Sequence, residues 1–560
     1  TLIHTRLSIL DLSSYGNQPI IDKNSGTVLI YNGEIYNFKE LQKLIDPNEK
    51  ATNDSRVILN LYLKYGLDSF KMLRGMFALA IWEEKSQTLI IARDRFGIKP
   101  IYYSFINGVF YFASETKALN SVGVKKQIDN KSLKNYLVNG ILENNSNTLF
   151  ENISPLKPGT IMTIKKNNIS ENSFWNKRNL KKIEIRKNEI GEAISEKLLE
   201  VCKLHLISDV KLGITLSSGI DSQLLLNLMV KLQQDINTYT YGYENKEYDE
   251  AKYVNEKYNK YNLKMITSVL HSKDLFDELE EAIEYFQNPL GGLGTLSLFH
   301  LMKSIKQDST KVILSGEGGD EVFLGYKYYF YAYLLDLKNT NQVKKLENEI
   351  LNWKILTNED LNSDLSISNL FENKIYGSKA PDGTLLTSNS LDGEFLRNIK
   401  IDNLEKKFEK NHLENLNILD IEEKKLPKLL MFQDRCSMFS GIESRVPFLD
   451  HELYEMVKSV EATHHINNGQ LKNILRNELS KSTKTEVEKK YVAAPQREWL
   501  KYELSTKVKE MIFDGYLVNN KIINKNNFFD QYDEYIKSNK LGNSFFIWKI
   551  LNLEMLLNLK

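Results

Sequence analysis

"ITLSSGIDSQLLL", residues 214–226, is a short apolar run, then Ser217-Ser218-Gly219, then a helical pattern carrying Asp221 and Ser222 near its start. A strand that ends in small residues and enters a helix aims successive backbone N–H groups at one point, and the positive end of the helix adds to that field. Glycine permits close approach of a ligand, and the three serine hydroxyls can donate to phosphate oxygens. Asp221 would repel a bare phosphate but would suit one that carries Mg²⁺. The stretch lacks GxxxxGK[ST], so it is not the ordinary P-loop. The bland alternative is a Ser/Gly turn capping a helix.

Working outward, the flanking segments repeat the alternation of strand and helix. "KLGITL" (211–216), "NTYTYGY" (237–243) and "KVIL" (311–314) read as strands, and "SQLLLNLMVKL" (222–232) as the helix after the loop. Such an order predicts an α/β domain with a parallel sheet. Helix "EIGEAISEKLLEVCKLHL" (189–206) opens that domain, with Ala193, Ile194, Leu198, Val201 and Cys202 on one face, so Cys202 reads as core. A second loop, "SGEGGDE", follows "KVIL" and places Glu317, Asp320 and Glu321 within five residues. Mutually repelling carboxylates become tolerable when they share hydrogen bonds or a metal. An acidic helix N-terminus accounts for the acids but not for the Ser315-Gly316 before them. The remainder is helical, and the Asn-, Leu-, Lys- and Glu-rich stretch of about 335–425 reads as a helical elaboration.

Residues 1–180 read differently. "TVLIYNGEIYN" (27–37), "MFALAIW" (76–82), "TLIIARDRF" (88–96), "PIYYSF" (100–105) and "VFYFAS" (109–114) are strand-like, and "SPLKPGTIMTI" (154–164) leads into a last hairpin. "FKELQKLI" (38–45) and "SRVILNLYLKYG" (55–66) are helical, and "TLIHTRLSILDLS" (1–13) begins as an apolar strand-like run. The expected fold is thus a layered α+β domain over 1–180, then an α/β parallel-sheet domain over 185–560 with a large helical C-terminal part.

The 560 residues carry 74 Lys and Arg against 73 Asp and Glu, which leaves no basic footprint for nucleic acid. No run approaches the roughly 18 apolar residues of a membrane span. Two cysteines without a CxxC fit a reducing compartment, and a cytoplasmic protein is expected. His464-His465 is a poor metal pair, because adjacent side chains point apart and no third ligand lies nearby in sequence. "GGLG" (291–294) lacks the spacing of a dinucleotide fingerprint.

"QDRCSMFSGIESRVPFLDHEL" (433–453), which reads as a short helix joined to an extended turn, "NNGQLKNILRNEL" (467–479), with Lys472 and Arg476 on one helix face, and "KKYVAAPQREWL" (489–500) resemble the synthetase domain of glutamine-hydrolysing asparagine synthetases. The loop at 217–222 resembles that family's pyrophosphatase loop, with Ser218 where glycine is usual. "TRLSILDLS", "YNGEIYN", "TNDS", "GMFALAIW", "ARDRFGIKPIYY" and "FASETKAL" resemble its class II glutamine amidotransferase half, a fold of the N-terminal-nucleophile type.

The resemblance implies that Arg6 grips the glutamine carboxylate and that the strand through Leu7, Ser8, Ile9 and Leu10 lines the pocket. Asn32 and Gly33 would form an oxyanion hole, while Glu34 and Asp54 would hold the substrate ammonium. The family's nucleophilic cysteine is expected upstream of Thr1, so this chain should accept ammonium but not glutamine as nitrogen source. Arg56 stands where the family more often has Glu. ATP is expected on Leu216, Ser217, Ser218, Gly219, Asp221, Ser222, Tyr241, Ser315 and Gly316, with Mg²⁺ on Asp221 and Asp320. Glu317 and Lys472 are the expected catalytic residues of that half. The implied reaction makes asparagine from aspartate through a β-aspartyl-AMP intermediate. Alternatives are another acceptor carboxylate, such as a sugar acid or a secondary metabolite, selected by "QNPLGGLGTLSLF" (287–299), or a degenerate nucleotide-binding relative. The resemblance also admits a homodimer.

Overall fold

The computed structural model describes the chain except for residues 144–146, 167, 179, 181, 187, 260–262, 360, 362–383, 401–410, 484–493, 539–541 and 560. Parts of the 335–425 segment and the first half of "KKYVAAPQREWL" therefore lie outside the described residues.

The first half is built on an antiparallel sheet in the order β1 (Ile20–Ile21), β2 (Val28–Ile35), β3 (Gly75–Glu83), β4 (Thr88–Arg93), β8 (Thr160–Lys165), β9 (Asn168–Ser173). A smaller sheet runs β6 (Val109–Ala113), β5 (Tyr102–Ile106), β7 (Ser154–Pro155). Alternation decides the layers. Leu29, Tyr31 and Ile35 of β2 with Phe77, Leu79 and Ile81 of β3 face helices Phe38–Ile45 and Asp54–Tyr65. Ala78, Ala80 and Ile91 face Ile101, Leu156 and Phe112 of the smaller sheet's side. The β5–β6 hairpin turns on Asn107 and Gly108, both at positive φ, as a tight two-residue loop between twisted strands requires.

One expectation fails here. Residues 1–9 form no strand, because none of their backbone is paired into a sheet. Leu7 to Leu10 instead approach the second half, where the Ile9 carbonyl accepts from the Asp209 N–H at 3.1 Å.

The second half is a five-stranded parallel sheet in the order β12 (Lys264–Val269), β11 (Asn237–Gly242), β10 (Leu212–Thr215), β13 (Val312–Leu314), β14 (Glu443–Arg445). Helices Ile190–His205, Ile220–Lys231, His451–Lys458 and Asn473–Thr483 contribute to one core. Helices Leu275–Phe286, Leu293–Gln307, Leu426–Phe439 and Phe545–Asn558 contribute to another. Within the 335–425 segment the described parts are helical, although its first helix, Lys327–Asn339, starts earlier. None of the helices among the described residues is long and apolar enough to cross a membrane.

The halves share a core. Ile9, Tyr36, Met76, Phe96 and Ile98 pack into the cluster that holds Ile214, Leu224 and Leu449. Buried ion pairs fix their register: Arg74 grips Asp450 with two nitrogens at 2.7 and 3.1 Å, and Lys99 meets Asp434 at 3.1 Å. Breaking such a buried pair on one side costs about 3–5 kcal/mol, so these contacts specify one arrangement of the two halves.

Both cysteines are buried free thiols, Cys202 in the shared core and Cys436 beside the Thr295 carbonyl. Burial pushes the Cys202 thiol up to about 12 and the Cys436 thiol well above the usual range. A thiol reagent is expected to leave the native protein unmodified and to titrate both thiols in denaturant; rapid native modification would contradict this packing.

Candidate active site

In the parallel sheet the chain runs outward from β10 to β12 on one side and returns through β13 and β14 on the other. Such a reversal leaves a crevice at the carboxyl ends of the two central strands, the customary ligand position of open α/β sheets. The loops that leave those ends are 216–219 and 315–318, the two singled out in the sequence.

They meet in van der Waals contact. A Cβ on Gly316 would lie 3.1 Å from the Cβ of Asp221, and one on Gly319 would lie 2.6 Å from its Cγ. The glycines let the second loop close onto the first. Ser222 is turned back into the first loop, its Oγ accepting from the Ser217 N–H at 3.1 Å and lying 3.0 Å from the Ser217 Oγ. The Gly219 N–H donates to the Ser217 Oγ at 3.1 Å, and the Ser218 N–H donates to Glu250 Oε2 at 2.7 Å. A carboxylate thus sits on one of the loop's donors, the Ser218 N–H.

The complementary charge lies close by. Lys472 Nζ contacts both Asp221 and Asp320, the latter at 2.6 Å. The lysine is buried, and its two carboxylates hold its ammonium above the ordinary lysine range. It does not share a helix face with Arg476: it precedes helix Asn473–Thr483 at a φ of 53°, a backbone state that aims it into the crevice. Arg476 instead donates to the Leu471 carbonyl at 2.9 Å.

Glu317 lies at the same crevice, where burial and the neighbouring Glu321, Asp320 and Asp221 push its carboxyl up to about 8. Glu321 is pushed up to about 7 by burial and Asp320, with the Tyr326 hydroxyl donating to it at 2.6 Å. Burial, and after it the repulsion read from the sequence, raises two of the three acids. Tyr241, near the end of β11, has its phenol raised by burial and by charges that include Glu250 and Glu317, which sets it on the same rim. Leu216 is buried behind the loop, its N–H donating to the Tyr239 carbonyl at 2.7 Å. The Ser315 N–H donates to the Arg445 carbonyl at 2.9 Å.

Among the described residues no group of three or more His, Cys, Asp or Glu could hold a metal by itself. Asp221 and Asp320 nevertheless converge on one cation, and two carboxylates completed by substrate phosphates and water are a usual Mg²⁺ arrangement. The donor set fits that ion. His465 is buried, and burial lowers its imidazole to about 3.

Residues 193–558 match the asparagine synthase family model, and residues 1–175 match a glutamine amidotransferase domain. The chain belongs to the asparagine synthase family. It is 28% identical to asparagine synthetase [glutamine-hydrolyzing] 1 of Bacillus subtilis, with 90% of this chain and 82% of that protein aligned. It is 29% identical to a putative asparagine synthetase of Methanocaldococcus jannaschii over 66% of this chain and 74% of that one. A Gibberella zeae protein named amidase chry2 is 25% identical over 91% of this chain and 83% of its own length. The family relation supports glutamine-dependent amide ligase chemistry.

The amidotransferase half of this family member places Asn32, Gly33 and Glu34 on β2, paired with Ala78, Phe77 and Met76. Gly33 has a φ of 148°, and a Cβ there would run into the Met76 carbonyl, so only glycine fits. Asp54 starts helix Asp54–Tyr65 and accepts from the Tyr31 hydroxyl at 2.9 Å and the Ile35 N–H at 3.1 Å. Burial raises its carboxyl above the ordinary value. Arg6 is engaged by its own segment, donating to the carbonyls of Ser13 at 2.7 Å and Leu10 at 3.1 Å, to Asp11, and to the Asn17 side chain at 3.0 Å. Ser8 is half-buried, as is Leu7, whereas Ile9 and Leu10 are buried.

Three residues of the two sites were not singled out from sequence. Glu250 is the first residue of a helix and gives no local signal. Gln223 donates to the Ser218 carbonyl at 2.6 Å from just before the Leu224-Leu225-Leu226 run of its helix, a buried polar position that could have been noticed. Arg445 belongs to a strand that composition does not reveal.

Proposed function

We propose that this chain converts aspartate to asparagine at the expense of ATP, using ammonia that the amidotransferase half draws from glutamine. One observation carries the reading: at the crevice a protein carboxylate, Glu250, accepts from the Ser218 N–H of the first loop, and a protein cation, Lys472, lies between Asp221 and Asp320. Each is the charge expected of a ligand, an anionic phosphate on the loop and a divalent cation on the carboxylates. Mg²⁺ held by Asp221 and Asp320 would neutralise the departing pyrophosphate.

Ser217, Ser218, Gly219, Ser222, Ser315 and Gly316 hold and orient the nucleotide, with Leu216 and Tyr241 at the wall. The acceptor's side-chain carboxylate attacks the α-phosphorus, pyrophosphate leaves, and the β-aspartyl-AMP is opened by ammonia with loss of AMP. Glu317 takes the proton that the attacking ammonia sheds, and Lys472 carries negative charge growing on phosphoryl oxygens. In the other half Asn32 and Gly33 provide the oxyanion hole, Glu34 and Asp54 the ammonium site, and Arg6 with Leu7, Ser8, Ile9 and Leu10 the pocket edge. For Arg6 to meet a carboxylate, it must release some of its loop carbonyls.

The similarity to proteins named amidases favours a second reading, in which the same machinery amidates another carboxylate. Pyrophosphate release with ATP, Mg²⁺ and ammonium decides between them. Aspartate alone should support it; release only with sugar acids or other carboxylates selects the second reading, and release with none defeats both.

A further inference from the structure

The amidotransferase pocket and the nucleotide crevice are joined by one residue. Arg445 ends β14, whose partner in the sheet is β13, with Leu314 opposite Arg445. Its carbonyl accepts from the N–H of Ser315, the first residue of the second loop, at 2.9 Å. Its guanidinium extends the other way, and the side chain is completely buried. Two carbonyls, of His205 at 2.8 Å and Ile207 at 2.7 Å, occupy one nitrogen. Glu443 takes a second at 2.8 Å. The third lies 3.1 Å from Glu34 of the amidotransferase half.

That last contact is incomplete. The alignment is too poor for a hydrogen bond, so Arg445 Nη2 and the other Glu34 oxygen, Oε1, are both buried without a hydrogen-bond partner. Glu34 is 3% exposed, and one guanidinium serves two buried carboxylates. Orphaned buried polar atoms are destabilising, the more so when charged. A cationic group arriving at Glu34 Oε1 would complete that carboxylate and leave Arg445 to Glu443.

We propose that Arg445 is a positioning residue that couples occupancy of the glutamine pocket to the second nucleotide loop, through its side chain on Glu34 and its main chain on Ser315. This rests on the assignment of Glu34 to the substrate ammonium and of Ser315 to the nucleotide. Division of the guanidinium between Glu34 and Glu443 supplies the two arrangements such coupling needs, and linkage requires the effect to be reciprocal.

Calorimetry on this chain tests it, with L-glutamine and the Mg²⁺ complex of α,β-methylene-ATP as the two probes. In the unsubstituted chain, saturating nucleotide should change the glutamine Kd by about fivefold or more, and glutamine should change the nucleotide Kd by the same factor. In Arg445→Lys both ligands should bind, but with the coupling factor near one. Should that variant fail to fold, Glu443→Gln decides: Arg445 then belongs to Glu34 alone, so glutamine should bind more weakly and the coupling factor should fall toward one. A coupling factor of one in the unsubstituted chain, an unchanged factor in Arg445→Lys, or unchanged glutamine affinity in Glu443→Gln overturns the proposal. Binding of both probes without coupling defeats this inference alone. Binding of neither defeats the site assignments, and the inference with them.

Discussion

Lys472→Met is expected to lower ammonium-dependent amide formation by about 10²–10³-fold, the usual loss when one preorganised charge-stabilising group is removed from a dry site. The substitution keeps the length of the chain and removes only the charge. Because Asp221 and Asp320 face the same ammonium, its loss leaves two half-buried carboxylates opposed, and they relieve the repulsion by taking up protons. The variant should therefore lose stability on going from pH 5 to pH 8 more steeply than the parent. Lys472→Arg should not rescue activity: a planar guanidinium needs more room than an ammonium, and Gly325 is a glycine where a Cβ would collide with the lysine side chain. Pyrophosphate release measured with melting curves at both pH values separates catalysis from folding. Retention of more than about a tenth of the parent rate in a folded variant would show that the lysine is dispensable to the transition state.

Glu317→Gln is expected to cost about 10²–10⁴-fold in the same assay, the range for a general base. Its pH behaviour makes the prediction sharper. With its carboxyl raised from 4.5 to about 8, Glu317 ionises in the free protein only as the pH rises through about 8. If it accepts a proton from ammonia, kcat/KM expressed per unprotonated ammonia should climb up to that pH and then level, and the glutamine variant should lack the climb. The same shift affects folding. Between 4.5 and about 8 the native state holds a proton that the unfolded chain has lost. The stabilising contribution is therefore complete below 4.5 and is lost as pH rises through about 8. Glu317→Gln cannot ionise, so its stability relative to the parent should rise across that window, checked by urea denaturation at several pH values. A variant that is both fully active and flat against pH would remove Glu317 from the reaction.

Much of this crevice was legible beforehand, and the reasons can be traced to particular residues. Ser217 to Ser222 and Ser315 to Glu321 are contiguous, and contiguous residues of small size and special backbone freedom define a turn without help from elsewhere. The hairpins and most strands were visible for the same reason: apolar alternation is a local property. β12 was passed over although "KMITSV" (264–269) is rich in β-branched residues, a signal that was present. β14 offered none. Glu443-Ser444-Arg445 is polar and charged, yet all three residues are buried and paired to β13. Such a strand is tolerated in the core because the His205 and Ile207 carbonyls accept from its arginine and Glu34 faces it with the opposite charge, and partners so distant in sequence leave no mark on it.

The opening residues show the opposite error. "TLIHTRLSIL" has the composition of a strand, but a strand needs a neighbour, and no sheet edge is paired with it. The sequence by itself determined two loops of small and acidic residues, the order of elements that brings them to adjacent strand ends, and membership of a recognisable family. Only the tertiary structure decided which distant charges fill the crevice: Lys472 between the aspartates, Glu250 on the first loop, and Arg445 reaching from the second loop to Glu34. The physical reason is range. Backbone geometry and side-chain size act between neighbours in the chain, whereas a buried charge must find its partner wherever packing places one, at whatever separation in sequence.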